Sequence, residues 1–260
     1  ASGVGKYFLS GERIGWKEGL KAYWDAEEAQ GKPVDRDFYE VSRKFTFDEG
    51  PLADIELVKE LRTEKGIKEI AAMAEITSQL LIVHQALKEL IEALEPDVHQ
   101  FWPMKISMPR GKVFPEPYFG LRIGQFLNSF RPDESAEGSV RQRGSGYYSY
   151  DTKRDTAGLA FDSALIAGKH LWREQYLVKP NILMSDALQQ RAAEAGLQLP
   201  KHFQAQVVSR WRRLFRDIPL SQRLFTEISQ TSLITTFPAG TWTGLQSGCA
   251  SDLVDWVSTA

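Results

Sequence analysis

Histidine is the first residue type to consider as a carrier of chemistry, because its imidazole can hold a metal ion or move a proton near neutral pH. The four histidines lie far apart in the chain: His84, His99, His170 and His202. None of them has a second type of ligand residue at the spacing of a recognised metal-binding motif. His84 falls near the apolar stripe of a predicted helix, where we expect a partly buried, hydrogen-bonded side chain rather than a ligand. The sequence therefore predicts no metal and no cofactor.

Nucleophilic catalysis would depend on Cys249, the single cysteine, which lies in the segment QSGCASD. A reactive thiolate needs a base or a positive charge nearby, and no histidine follows Cys249 in the chain. A base or cation supplied by another part of the fold would activate the thiol, so nucleophilic catalysis by Cys249 stays an open alternative. The chain has no G-x-S-x-G nucleophile elbow, and SGVGK near its start lacks the first glycine of a phosphate loop. We therefore predict a protein that is not an enzyme.

Arginine gives the sharpest charge feature, a cluster formed by Arg210, Arg212, Arg213 and Arg216. On a helix, Arg212 and Arg216 would share one face. A nucleic-acid site would combine such a stripe with a basic domain, but the formal net charge is -2 and the pI about 6.2. We expect no nucleic-acid partner. An acidic protein surface fits the cluster, and so does pairing within the chain with Asp217 or Glu227.

A second candidate binding segment is RQRGSGYYSY, residues 141–150. Residues 131–146 are polar and contain glycine, so we expect an exposed loop there. Its arginines could contact an anion, although a solvated loop also explains them. The candidate partner-binding residues are accordingly Arg210, Arg212, Arg213, Arg216, Tyr147, Tyr148 and Tyr150.

The composition indicates a cytoplasmic protein with no membrane partner. A single cysteine among 260 residues excludes an intramolecular disulfide framework and suits a reducing compartment. No apolar run approaches the roughly 18 residues that span a bilayer. The first residues lack the features of a signal peptide.

Apolar periodicity and turn residues predict the elements that must position these side chains. The predicted strands are Lys6–Ile14, Glu40–Asp48, His99–Met108 and Tyr118–Phe130. The predicted helices are Trp16–Gln30, Glu69–Leu94 and Gln204–Phe225, and Thr77 or Ser78 could divide the second of these into two elements.

The segment from Gly158 to Leu197 carries the clearest local signals. Two strands flank a tight turn at Ala167-Gly168, and a helix follows. Ser185 can cap the first turn of that helix, and Gly196 can supply the left-handed residue that ends it.

Helices and strands alternate irregularly, which favours an α+β fold rather than a doubly wound parallel sheet. We expect a mostly antiparallel sheet from the 99–108, 118–130, 158–162 and 169–175 regions, with helices packed on one side. Three parts are predicted: an N-terminal segment (1–65) that could form an extra subdomain, an α+β core (66–206), and a C-terminal helical segment with a tail (207–260).

Four segments, taken in order, carry a family resemblance: LKELIEALEP, HQFWPMKI, LAFDSALIAGKHLWRE and ILMSDALQQRAAEAGL. Over roughly residues 70–205 the chain resembles the eleventh catalogued immunity-protein family of bacterial polymorphic toxin systems, formerly a domain of unknown function. The resemblance implies a protein that binds a cognate toxin domain and neutralises it by stoichiometric protein–protein inhibition. It brings no defined functional residues to this chain. The alternatives are an enzyme with an unrecognised active site and a self-associating structural or regulatory module, and the oligomeric state stays open.

Overall fold

The computed structural model describes residues 6–76, 79–144, 146–150, 158–178 and 182–209. Contacts divide the chain after Val208, and the described residues up to that point belong to the first of its two units. Cys249 and the predicted C-terminal segment beyond residue 209 lie outside the described residues.

The elements of the first unit are short. The strands are β1 Lys6–Leu9, β2 Gly11–Arg13, β3 Glu60–Thr63, β4 Ile70–Ile76, β5 Leu81–His84, β6 Gln100–Met108, β7 Lys112–Val113, β8 Tyr118–Arg122, β9 Phe126–Leu127, β10 Val140–Arg143, β11 Tyr147–Tyr150, β12 Ala160–Asp162, β13 Leu171–Glu174, β14 Ile182–Met184 and β15 Gln206–Val208. The helices are α1 Trp16–Ala29, α2 Phe38–Arg43, α3 Gln85–Leu94, α4 Ser163–Ile166 and α5 Asp186–Glu194.

The largest sheet curls until its two edges meet. Its strand order is β1-β4-β5-β8-β6-β3-β2, with β7 paired to β6. β1 ends at Leu9 and β2 begins at Gly11, so a single residue, Ser10, joins the strands at opposite edges. A flat sheet of this width could not be bridged by one residue, since a residue spans only about 3.5 Å. The sheet is therefore nearly closed.

The inner face of this sheet holds the larger core. Trp16, Leu20 and Trp24 of α1 pack there with residues from strands across the whole sheet. Strand alternation identifies the two faces, because Ile82 of β5 belongs to this inner core while its neighbours Leu81 and Val83 belong to another.

The second core lies on the outer face, where α3 and α5 cover β4, β5 and β8. Leu87 and Ile91 of α3 and Leu188 of α5 are buried there against Leu121.

The structure confirms the α+β class and the mostly antiparallel pairing. The expectation that helices pack on one side is wrong, because both faces of the sheet are apolar and α1 covers the face opposite to α3 and α5.

The first 65 residues join the same sheet as the rest of the unit. β3 pairs with β6 in parallel and with β2 in antiparallel orientation, and β1 pairs with β4 in parallel. The predicted strand over Lys6–Ile14 becomes β1 and β2, and the predicted helix from Trp16 is confirmed as α1.

The predicted helix over Glu69–Leu94 is half wrong. Its second half is α3, but its first half contains β4 and β5. β4 has apolar residues at consecutive positions and is buried almost throughout, as a strand covered on both faces requires. A short apolar run of this kind cannot be told from a buried helix by periodicity.

Two further predicted elements differ from the structure. The segment Glu40–Asp48 is not a strand, because α2 begins after Asp37, whose carboxylate accepts a hydrogen bond from the Tyr39 N–H at 2.7 Å. The predicted helix over Gln204–Phe225 begins instead with β15, which pairs in parallel with β12. Its remainder lies outside the described residues.

The region from Gly158 to Leu197 is partly as predicted. The Ser185 hydroxyl accepts a hydrogen bond from the Leu188 N–H at 3.1 Å, and Gly196 has φ of 68°, which confirms both ends of α5. The strands β12 and β13, which α4 separates in the chain, do not pair with each other. β13 pairs with β9 and β14 instead. Of the four regions expected to form one sheet, the structure pairs β6 with β8 and places β12 and β13 in small separate sheets.

Candidate functional site

The segment RQRGSGYYSY, predicted as an exposed loop, contains most of a β-hairpin. β10 and β11 are antiparallel, with Arg143 opposite Tyr147, Gln142 opposite Tyr148 and Arg141 opposite Ser149. Gly144 and Gly146 have positive φ values of 45° and 92°. Glycine adopts this conformation without a steric penalty, so the two glycines allow the chain to reverse.

A third stretch of chain extends this hairpin on the β11 side. The Tyr148 N–H donates to the Tyr176 carbonyl at 2.8 Å, and the Val178 N–H donates to the Tyr148 carbonyl at 2.7 Å. Residues 176–178 therefore run beside β11, and backbone hydrogen bonds fix both sides of this strand.

One face of the hairpin is buried. Tyr148, Tyr150 and Val140 pack against the small core of Phe130, Leu159, Phe161 and Leu177. The ring of Tyr148 meets that of Phe130 edge-on at a centroid distance of 5.4 Å. Burial raises the pKa of Tyr150 to about 12, so its phenol is neutral at physiological pH. These contacts anchor the hairpin.

A buried carboxylate, that of Glu174, binds the backbone next to this small core. Glu174 accepts hydrogen bonds from the Ser129 N–H and hydroxyl, both at 2.7 Å, and from the Phe130 N–H at 3.1 Å. Burial raises the pKa of Glu174 despite these donors. The Arg131 guanidinium binds the Asp162 carboxylate at 2.6 Å, which ties the same stretch to β12. The chain under the hairpin is thereby fixed by polar contacts as well as by packing.

The opposite face of the hairpin is exposed and combines cations with aromatic rings. Because cross-strand partners share a face, Arg141, Arg143 and Tyr147 lie on the side away from the core. Tyr176 lies beside Tyr147 at a ring-centroid distance of 6.3 Å. The exposed fractions are 45% for Tyr147, 39% for Tyr176 and 43% for Val178. We call these five residues the hairpin face.

The two arginines of the hairpin face are available to bind an anion. Within the described residues no carboxylate lies within 4.0 Å of either guanidinium, whereas Arg36, Arg43 and Arg131 each form ion pairs. Arg143 Nε donates to the neutral Ser149 hydroxyl at 2.8 Å, which orients the side chain without neutralising it. Two such cations beside exposed tyrosines can bind a carboxylate-bearing protein surface, since arginine and tyrosine are enriched in interfaces.

The predicted binding residues are distributed unequally. Tyr147 lies on the hairpin face, but Tyr148 and Tyr150 point into the core and serve as anchors. The cluster of Arg210, Arg212, Arg213 and Arg216 lies outside the described residues.

Sequence reasoning did not select Tyr176 and Val178, and it placed Arg141 and Arg143 in a loop. The alternation of R-Q-R and Y-Y-S-Y around G-S-G could have indicated a hairpin with two different faces. No such local pattern indicates the pairing with residues 176–178.

The histidines have structural roles where their contacts are described. His84 Nδ1 accepts a hydrogen bond from the Ala86 N–H at 3.2 Å and caps α3, as expected of a hydrogen-bonded side chain. The side chain of His99 is fully buried, and its Nε2 lies 2.9 Å from a Glu95 carboxylate oxygen. The described part of the chain contains no group of three or more His, Cys, Asp or Glu residues arranged to hold a metal ion.

None of the described helices combines the length and the apolar character that crossing a bilayer requires.

Comparison with known proteins gives one family. The model of the immunity protein family Imm11 matches residues 6–207. This range contains the hairpin, its supporting core and the whole curled sheet, and it extends the resemblance from residues 70–205 to the N-terminal strands. No curated protein matches the chain.

Proposed function

We propose, from the premise that this chain belongs to the immunity protein family Imm11, that it binds a cognate toxin domain and neutralises it by stoichiometric protein–protein inhibition. The family match over residues 6–207 is the observation that supports this function. The toxin belongs to a bacterial polymorphic toxin system in this proposal, and the chain acts by binding rather than by catalysis.

The hairpin face is the proposed contact surface. Its tyrosines supply large, stiff side chains that bury apolar area at a low cost in conformational entropy. Its arginines attract carboxylates of the toxin and accelerate encounter. A stable interface buries about 1,600 Å² in total, so these five residues form only part of the contact. The remaining cations, Arg210, Arg212, Arg213 and Arg216, stay candidates for a second contribution.

A cell-protection experiment tests the function together with the surface. A candidate toxin domain, identified by its capture on the purified chain, is expressed in host cells with the wild-type chain or with the double variant R141E/R143E. We expect protection by the wild type. For the variant we expect association with the purified toxin domain to slow about tenfold at low salt, because reversing two charges removes the electrostatic attraction.

A matched variant controls for the change in net charge. Lys65 and Lys68 are exposed on the segment between β3 and β4, and K65E/K68E alters the charge of the chain by the same amount. This control should associate as fast as the wild type. Equal slowing by both double variants would refute the hairpin face as the contact surface, and absence of protection by the wild type would refute the function.

A further inference from the structure

The outer edge of β10 is an open strand edge. Among the residues that the structure describes, β10 pairs only with β11. The N–H and C=O of one strand residue point to the same side, and consecutive residues alternate sides. Both groups of Tyr148 are bonded to residues 176–178. The backbone N–H and C=O of Tyr148 therefore point away from β10. Because Gln142 lies opposite Tyr148, its backbone N–H and C=O point away from β11.

The backbone N–H and C=O of Gln142 thus face outward, and no described residue bonds to either of them. Within the described part of the chain no hydrogen bond is formed by the N–H or C=O of Gln142 outside the hairpin pairing. Val140 is opposite Tyr150 and shares this outward orientation, while Arg141 and Arg143 use their backbone groups within the hairpin. Gln142 is also exposed, so an incoming strand can reach this edge.

We propose that β10 accepts an extended, carboxylate-bearing segment of the toxin as an added β-strand. Backbone hydrogen bonds to Gln142 and Val140 would provide the pairing, as in other cases of strand addition. This inference rests on the proposed function for the identity of the partner.

Charge selects the occupant of this edge. An added strand places every second side chain beside Arg141 and Arg143, on the hairpin face. Carboxylates at those positions pair with the guanidinium groups. A second copy of β10 would bring further arginines to the same face, and like charges on neighbouring strands repel each other. The edge is therefore suited to an acidic strand and not to self-association.

The test uses a synthetic probe with the full chain. Acetyl-TETETET-amide is titrated into the 15N-labelled protein, and backbone amide exchange is measured by NMR. At saturation we expect exchange at Gln142 to slow at least tenfold, while Arg141, already bonded to β11, changes little. The matched peptide acetyl-TKTKTKT-amide should bind at least tenfold more weakly. In R141E/R143E this preference should reverse, and these surface substitutions leave the anchored face intact.

Two results would overturn the proposal: unchanged exchange at Gln142 at millimolar peptide, or equal binding of both peptides. The same exchange measurement in the complex with the captured toxin domain separates the two proposals. If the toxin is neutralised while Gln142 exchanges freely, strand addition fails and the function stands. If the acidic peptide protects Gln142 but the toxin stays active, the proposal of toxin neutralisation is refuted, whereas the ability of the β10 edge to accept an acidic strand is supported.

Discussion

Gly120 shows how one missing side chain determines the packing of two central strands. It lies on β8 opposite Trp102 of β6, and a Cβ at this position would lie 2.2 Å from the indole ring. The Trp102 Nε1–H also donates to the Val58 carbonyl at 2.8 Å, so the ring cannot turn away without losing this bond. Gly120 is therefore required by the close approach of the indole.

We predict that Gly120→Ala destabilises the protein by about 1–3 kcal/mol, because it overpacks the core beside a ring that is already fixed. Denaturation in urea, followed by tryptophan fluorescence, measures the change. Gly66→Ala is the matched control, since nothing lies within 4 Å of the added Cβ there. Equal effects of both substitutions would show that the indole does not limit the space at Gly120.

A second residue-scale prediction concerns pH. Burial lowers the pKa of His99, although the neighbouring Glu95 opposes this shift. The Gly124 N–H lies 3.2 Å from His99 Nδ1 and donates to it, which favours the neutral ring. The unfolded chain therefore binds more protons than the folded chain just below the ordinary value of about 6.5. Stability should fall as the pH is lowered through this range.

Glu95 acts in the same direction at lower pH. Burial disfavours its ionisation, but hydrogen bonds from His99, the His170 N–H and Gln125 outweigh burial and hold the pKa of Glu95 below its usual value. Urea titrations between pH 5 and 7 isolate the contribution of His99. We expect His99→Gln to be less stable at pH 7 but to lose less stability on acidification. A slope as steep as that of the wild type would contradict this assignment.

At the scale of elements, end signals were the most predictable features. The start and end of α5 follow from Ser185, which caps its first turn, and from Gly196 just past its last turn. The distinction between strand and helix failed at β4, where burial on both faces removed the periodicity. The hairpin face could be predicted only in part, because Tyr176 and Val178 reach it through pairing with a distant stretch of chain.

The cap of α5 gives the element-scale prediction. Ser185→Ala should cost about 1 kcal/mol of stability, since the Leu188 N–H loses its acceptor. Ser185→Asp retains an acceptor and adds a favourable charge at the helix start, so it should recover most of this loss. Thermal unfolding compares the variants. If alanine and aspartate were equivalent, the cap would contribute nothing measurable.

At the scale of the whole molecule, closure of the large sheet was not predictable, because it depends on pairings between distant strands. Strands from the first 65 residues supply both meeting edges, and Trp16, Leu20 and Leu61 lie in the inner core. We predict that residues 66–260 alone show no cooperative unfolding transition. Urea denaturation of this fragment tests the point, with the full chain as control. A sharp transition in the fragment would establish residues 1–65 as a separate subdomain.

Stoichiometry is the most direct test of the central claim. The toxin domain captured on the purified chain is assayed for its activity while purified chain is added stepwise, at protein concentrations far above the dissociation constant. Neutralisation by binding predicts a linear fall of activity to zero at one molar equivalent. Full activity at excess chain, or complete loss of activity at a small fraction of an equivalent, would contradict it, and the latter would indicate an enzyme.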